Sequence, residues 1–220
     1  VTWNLGSNAA GVPGDLAAGT GTGTIVITAT KDTWIEGKVP ANTHGSETTF
    51  QVRPEAANLE QALIQFNLSS LPSGVTITGA NLQLSLVSMA VDKGAESLAV
   101  YPITSSWSES TVNWSTKPTM SSTALDMKSV SITAGPKTWN VLSLVQSWYN
   151  GTQPNNGLMV GDITGLSGAR SIYSFSSREN SPNPAPQLII SYSGSTNPAL
   201  GNALTAAPTL VSAGSLITIT

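Results

Sequence analysis

The sequence predicts an all-β fold, a jelly-roll-like antiparallel β-sandwich with one short helix. Three observations carry that expectation. Short segments that alternate apolar and polar residues recur along nearly the whole chain, the period-2 signature of half-buried strands. Turn chemistry separates them at the rhythm of an antiparallel sandwich, supplied by 20 Gly and 13 Pro in 220 residues. Only one segment carries helical periodicity.

The first strand is expected at residues 24–30 (TIVITAT), followed by 48–53 (TTFQVR) and 61–68 (QALIQFNL). Residues 75–90 (VTITGANLQLSLVSMA) read as a strand pair or one bent strand, interrupted near Gly79. Further strands are expected at 97–103, 128–133, 157–163, 171–176 and 187–192. Leu71-Pro72-Ser73-Gly74, Asp92-Lys93-Gly94 and Pro154-Asn155-Asn156-Gly157 supply turns between them. Val141, Leu144, Val145 and Trp148 fall at i, i+3, i+4 and i+7, one face of a helix. Asn140 is its expected N-cap and Gly151 its stop, and the helix is expected to cover an open end of the sandwich.

The ends differ from the middle. Residues 1–23 form a Gly/Ala/Thr-rich N-terminal extension that opens with a short alternating run, Val1-Thr2-Trp3-Asn4-Leu5. The sandwich is expected over 24–192 and a linker over 193–208. Residues 209–220 (TLVSAGSLITIT) are strand-like again, with Val211, Ala213, Ile217 and Ile219 on one face. An uncharged β-branched strand of this kind aggregates unless something pairs with it.

Composition excludes several function classes. Charged residues are 10% of the chain, against roughly 25% in an ordinary soluble domain. Twelve acids and nine bases give a net charge of −3, too little positive charge for a nucleic-acid face. No apolar run is long enough for a membrane span. The absence of cysteine removes disulfides, thiolate metal sites and thiol nucleophiles. His44 is the only histidine, and no G-x-S-x-G elbow accompanies it, so a serine hydrolase is not expected. Ser and Thr supply about a quarter of the residues. With the few charges and a chain opening on Val1, this suggests the mature form of a secreted, extracellular or cell-surface protein.

Several stretches, in order, resemble the DNRLRE domain, a family related to the disaggregatase-related repeats and to an alginate-binding family of carbohydrate modules. They are Asp32-Thr33-Trp34-Ile35, Thr43-His44-Gly45-Ser46 (where the family often has an aromatic before Gly-Ser), residues 62–68 (ALIQFNL) and residues 69–77 (SSLPSGVTI). Residues 107–114 (WSESTVNW) are the most distinctive; residues 141–148 (VLSLVQSW) match the family helix, and Phe175-Ser176-Ser177-Arg178-Glu179 its late signature. The resemblance covers about residues 25–192. It implies a jelly-roll-like sandwich in a secreted binding or structural module.

Glycoside hydrolysis needs two carboxyls flanking the scissile bond. Glu109 and Glu179 are the candidates inside the resembling stretches, and ion pairing to Arg178 and loop ordering account for them more simply. No enzyme activity is expected. Sugar stacking needs exposed rings. Trp34, Trp107 and Trp114 are the candidates, with Trp139 and Tyr149 behind them, while Trp148 belongs to the core. No cofactor is expected beyond a structural calcium, for which Asp32, Glu36 and Asp162 are candidate ligands; no EF-hand spacing is present. Asn67, Asn113 and Asn150 head glycosylation sequons.

The tail carries the leading functional expectation. A terminal strand that leaves its own domain can complete a neighbour's sheet. Residues 209–220 would span about 40 Å as a strand, and the linker is long enough to reach an adjacent subunit. A head-to-tail contact that does not close builds a filament. The first expectation is therefore a homo-oligomeric filament subunit that assembles by donor-strand exchange. Its subunit contacts would be Leu210, Val211, Ala213, Leu216, Ile217 and Ile219, with Val1, Trp3 and Leu5 as a second contact. The alternative is a monomeric extracellular module that binds a polysaccharide through its rings.

Overall fold

A computed structural model describes residues 20–90, 95–162 and 171–195, and these form an all-β sandwich of ten antiparallel strands with one α-helix. Strand β1 (Thr20–Glu36) belongs to both layers. Its first half pairs with β10 (Gln187–Ser195), from Thr20↔Ser195 to Thr28↔Gln187. Its second half pairs with β3 (Glu60–Phe66), and the register slips by one residue at Thr30, between Ala29 and Lys31. An extra residue of this kind bends a strand and increases its twist. Here it carries β1 from one layer into the other.

The first layer contains β2 (Thr49–Val52), β9 (Ile172–Ser176), β4 (Thr76–Ala90), β10 and the start of β1, with β7 (Gly135–Asn140) also on β4. The second contains the end of β1, then β3, β8 (Leu158–Gly161), β5 (Glu96–Pro102) and β6 (Asp126–Val130). Residues 75–90 make one strand from Thr76 onward. It bends at two register shifts, one at Thr78 beside the expected Gly79 and one at Val87.

The two layers enclose one core. The first contributes Leu82, Leu84, Leu188, Ile190, Phe50, Phe175 and Trp139; the second contributes Ala62, Ile64, Phe66, Leu98, Val100, Leu158 and Val160. Trp139 Nε1 donates to Leu98 O at 3.0 Å and so links the layers through their apolar interior. The helix α1 (Leu142–Tyr149) buries Leu144, Val145 and Trp148 in this core, as its periodicity predicts. Asn140 Oδ1 accepts the Leu142 N–H at 3.0 Å from one position before the residue at the cap. Gly151, at φ 69°, takes the left-handed conformation that stops the helix.

The second layer departs from simple alternation because both its faces are buried. Ile35, Leu63, Ala99, Tyr101, Ile103 and Met159 point away from the main core and form a second apolar cluster with Val112. That is why β8 is buried at all four positions.

Three of the expected rings are held by the main core. Trp139 is 0% exposed. Trp34 is 6% exposed, with its ring stacked on His44 at 3.8 Å, so it is not available as a sugar platform. Tyr149 is tied by its hydroxyl, which donates to Pro72 O at 2.6 Å and accepts the Val75 N–H. The proposed tail contacts Val1, Trp3, Leu5, Leu210, Val211, Ala213, Leu216, Ile217 and Ile219 lie outside the described residues.

Met159 is fully buried in the outer cluster, whereas Met127 is 60% exposed on β6. Met159→Ala is expected to lower stability by about 2–5 kcal/mol and Met127→Ala by less than about 0.5 kcal/mol, measured by urea unfolding.

Candidate functional site

The outer apolar cluster needs a cover, and the connection between β5 and β6 provides it. Residues 103–125 cross that face, with Val112 buried and Trp107, Trp114, Met120 and Ala124 packed on the cluster. A 3₁₀ turn at Trp114–Thr116 holds the middle of the connection. Asn113 Oδ1 accepts the Thr116 N–H and Thr116 Oγ1 accepts the Asn113 N–H, both at 3.1 Å, so the turn is capped reciprocally. Trp107 Nε1 donates to Asn156 O at 2.8 Å. Each indole is thus anchored while staying partly exposed.

Trp114 forms one wall of a cleft of about 440 Å³ that also includes Leu59, Gln61, Lys117, Met120, Ser121 and Ser122. Gly37 lies behind the ring, where a Cβ would meet the indole in van der Waals contact at 3.4 Å. Lys117 Nζ sits 3.5 Å from the ring centroid, a cation–π contact. Partial burial lowers the Lys117 pKa. Among the described residues no carboxylate lies within ion-pair distance of it. A second hollow of about 480 Å³ shares Ser121 and Ser122 and continues past Thr104, Gln153 and Pro154. The two together offer an elongated surface lined by a ring, hydroxyls, two amides and one ammonium without a carboxylate partner among the described residues. Lys31 Nζ lies 5.6 Å from the Trp107 ring centroid, a second lysine over an indole.

A group of acids lies along the outer edge of β1. His44 bridges Glu47 (2.7 Å) and Glu36 (3.2 Å), and Trp34 Nε1 donates to Glu47 Oε2 at 2.9 Å. The Thr43-His44-Gly45-Ser46 stretch therefore serves to seat a loop. Gly45 packs against the Glu109 backbone, where a Cβ would come within 2.4 Å of the carbonyl oxygen. Glu109 Oε1 accepts the backbone N–H of Asp32 at 2.8 Å and Arg178 Nε at 3.1 Å, while its Oε2 accepts Arg178 Nη2 at 2.8 Å. Arg178 Nε also lies 3.0 Å from Glu179 Oε1. Glu109 and Glu179, the acid pair weighed for hydrolysis, are held by one guanidinium.

Of the expected calcium ligands, only Asp32 belongs to an acidic group, and its neighbours there are Glu109 and Glu179 instead of Glu36 and Asp162. Glu36 is engaged by His44 and Asn42. Asp162 offers its backbone carbonyl to Gln61 at 2.7 Å. The pairing of Glu179 with Arg178 is as the sequence suggests, whereas Lys117 was not singled out as a site residue. The signal for Lys117 is its position three residues after Trp114, just past a capped turn.

The fold defines a β-sandwich module with a shallow, ring-walled cleft. The sequence pattern of carbohydrate-binding module family 96 matches residues 23–192, and the chain belongs to that family. The match ends before the tail proposed for strand exchange, and it favours the alternative expectation over the filament subunit. No curated protein matches the chain.

Burial pushes Asp32 up to about 7, opposed by the Arg178 N–H and reinforced by the charges of Glu179 and Glu109. Burial also pushes Glu60 up to about 7, against the opposing charge of Arg53. Unfolded, both groups return to the ordinary carboxylate range, so between about pH 4 and pH 7 the folded chain binds more protons than the unfolded one. Their contribution to stability is therefore fullest near pH 4 and is lost as pH rises through 7. The combined Asp32→Asn, Glu60→Gln variant is expected to flatten this decline and to melt above the parent at pH ~8, measured by circular dichroism with chelator present.

Proposed function

We propose that the chain binds a polysaccharide along the cleft beside Trp114, with an acidic sugar unit at Lys117. The observation that carries this reading is the ammonium held over a partly exposed indole with no carboxylate partner among the described residues. A sugar ring presents C–H faces that stack on an indole and hydroxyls that exchange bonds with Ser121, Ser122 and Gln61. A uronate carboxylate adds the charge that a partly desolvated lysine lacks. The adjoining hollow past Thr104 and Gln153 extends the surface in the way a chain of sugar units requires. Polysaccharide recognition fits an extracellular or cell-surface setting, and it requires neither a polymer of subunits nor an exchanged tail.

Titration of the full chain with a polyuronate and with a neutral glucan, followed by tryptophan fluorescence and calorimetry, tests the proposal. The polyuronate is expected to bind more tightly and to weaken as salt rises. Lys117→Gln should reduce that affinity about tenfold, equivalent to about 1.4 kcal/mol, and Trp114→Ala should remove measurable binding to both polymers. Unchanged binding in both variants would move the site off this cleft.

A further inference from the structure

The acidic group at the edge of β1 is incompletely satisfied. Asp32 is 1% exposed, yet its Oδ1 has no hydrogen-bond partner. Its Oδ2 accepts the Arg178 N–H at 2.9 Å. Glu179 Oε2 is a second buried oxygen without a partner. Oxygen atoms of Asp32, Glu109 and Glu179 lie within 4.8 Å of one another. One guanidinium, that of Arg178, pairs with Glu109 and Glu179, while Asp32 meets only the Arg178 backbone N–H. The ionised group therefore carries an excess of two negative charges on one buried and two partly buried carboxylates.

We propose that Asp32, Glu109 and Glu179 form a binding site for a hard divalent cation of the calcium class. Buried polar atoms without partners are rare because each loses its hydration with nothing in return. Two such oxygens on neighbouring acids call for a shared positive partner. The donors are all carboxylate oxygen, with no imidazole or thiolate among them, which selects calcium or magnesium over zinc or copper. The three acids come from a strand, a long connection and a turn, and such an irregular set suits the flexible coordination of calcium better than the strict octahedron of magnesium. Lone pairs remain on Glu109 beyond those that accept from Arg178 and the Asp32 N–H.

The consequence is mechanical. A cation there would clamp β1, the connection that carries Trp107 and Trp114, and the turn that follows β9. The competing explanation is a proton shared between Asp32 and Glu179, which would satisfy the same oxygens without metal. The two differ in what stabilises the chain above neutral pH. The site stands on these oxygens alone and does not depend on which glycan binds.

The full chain, stripped with chelator and dialysed at pH ~8, is titrated with calcium chloride, and with magnesium chloride for comparison. The melting temperature is expected to rise by about 5–10 °C at calcium about a hundredfold above its Kd, and by much less with magnesium. Terbium excited through tryptophan should luminesce and be displaced by calcium. Glu179→Gln, a change at a partly exposed residue that leaves the Glu109–Arg178 pair in place, should weaken both responses at least about tenfold. Asp126→Asn, away from the site on β6, should leave both unchanged. The proposal is overturned if calcium moves neither signal in the parent chain, or if Glu179→Gln responds as the parent does. Loss of response in Asp126→Asn as well would also overturn it, by pointing to general charge.

Discussion

The fold turns on the need to bury both faces of its second layer. A sheet in a sandwich ordinarily keeps one face in water, and its strands then alternate. Here Leu63, Tyr101 and Met159 point away from the shared core and would leave an apolar surface exposed. Residues 103–125 solve this by crossing the sheet as an irregular cover whose anchors are Val112, Trp107 and Trp114. An irregular segment has to satisfy its own backbone, which explains the reciprocal cap between Asn113 and Thr116, while the Trp107 indole N–H is satisfied by Asn156 O. The same cover creates the cleft, because an indole that seals a sheet with one edge leaves another part of its ring in reach of a ligand. Trp114 thus both seals the sheet and walls the cleft.

A cover must also be pinned at its margin. β1 is the edge strand of the second layer, and an edge strand presents unpaired N–H groups. Glu109 reaches from the cover to accept the Asp32 N–H, and Arg178 arrives from the turn after β9 to neutralise Glu109. Arg178 also gives its own N–H to Asp32, so side chain and backbone close a ring of contacts among three distant segments. Glu109 and Glu179 therefore serve in a tie between layers. The stack of Trp34 on His44, with Glu47 bonded to both rings, secures the neighbouring loop by the same logic.

How much of this was legible in the sequence depended on periodicity. β10 and β4 alternate against a single core and were placed to within a few residues, as was α1 with its 3.6-residue stripe. β7 was missed because Gly135-Pro136-Lys137 reads as a turn, and only Trp139, deep in the core, marks it as structural. The expected first strand ends at Thr30 and misses the second half of β1, since a bulge interrupts alternation just where the strand changes layers. The rings were harder still. Nothing local distinguishes Trp34 from Trp114; burial by a loop ten residues away and exposure beside a lysine are tertiary facts. The grouping of Asp32 with Glu109 and Glu179 spans 147 positions and needed the fold to assemble it.

Net charge also misleads at the scale of a site. The chain's excess of acids argues against a polyanion partner only if the acids lie near the ligand. Glu36, Glu47, Glu55, Glu60, Glu109 and Glu179 are instead engaged around His44, Arg53 and Arg178. Coulomb interactions between exposed charges fade beyond roughly 8–10 Å in physiological salt, so a ligand at Trp114 responds to the charges in its own cleft and little to those elsewhere. There the nearest ionic group is an ammonium resting on an indole. A chain of net charge −3 can therefore place a cation beside Trp114, because Glu36, Glu47, Glu109 and Glu179 are paired along the edge of β1 while Lys117 has no carboxylate partner among the described residues.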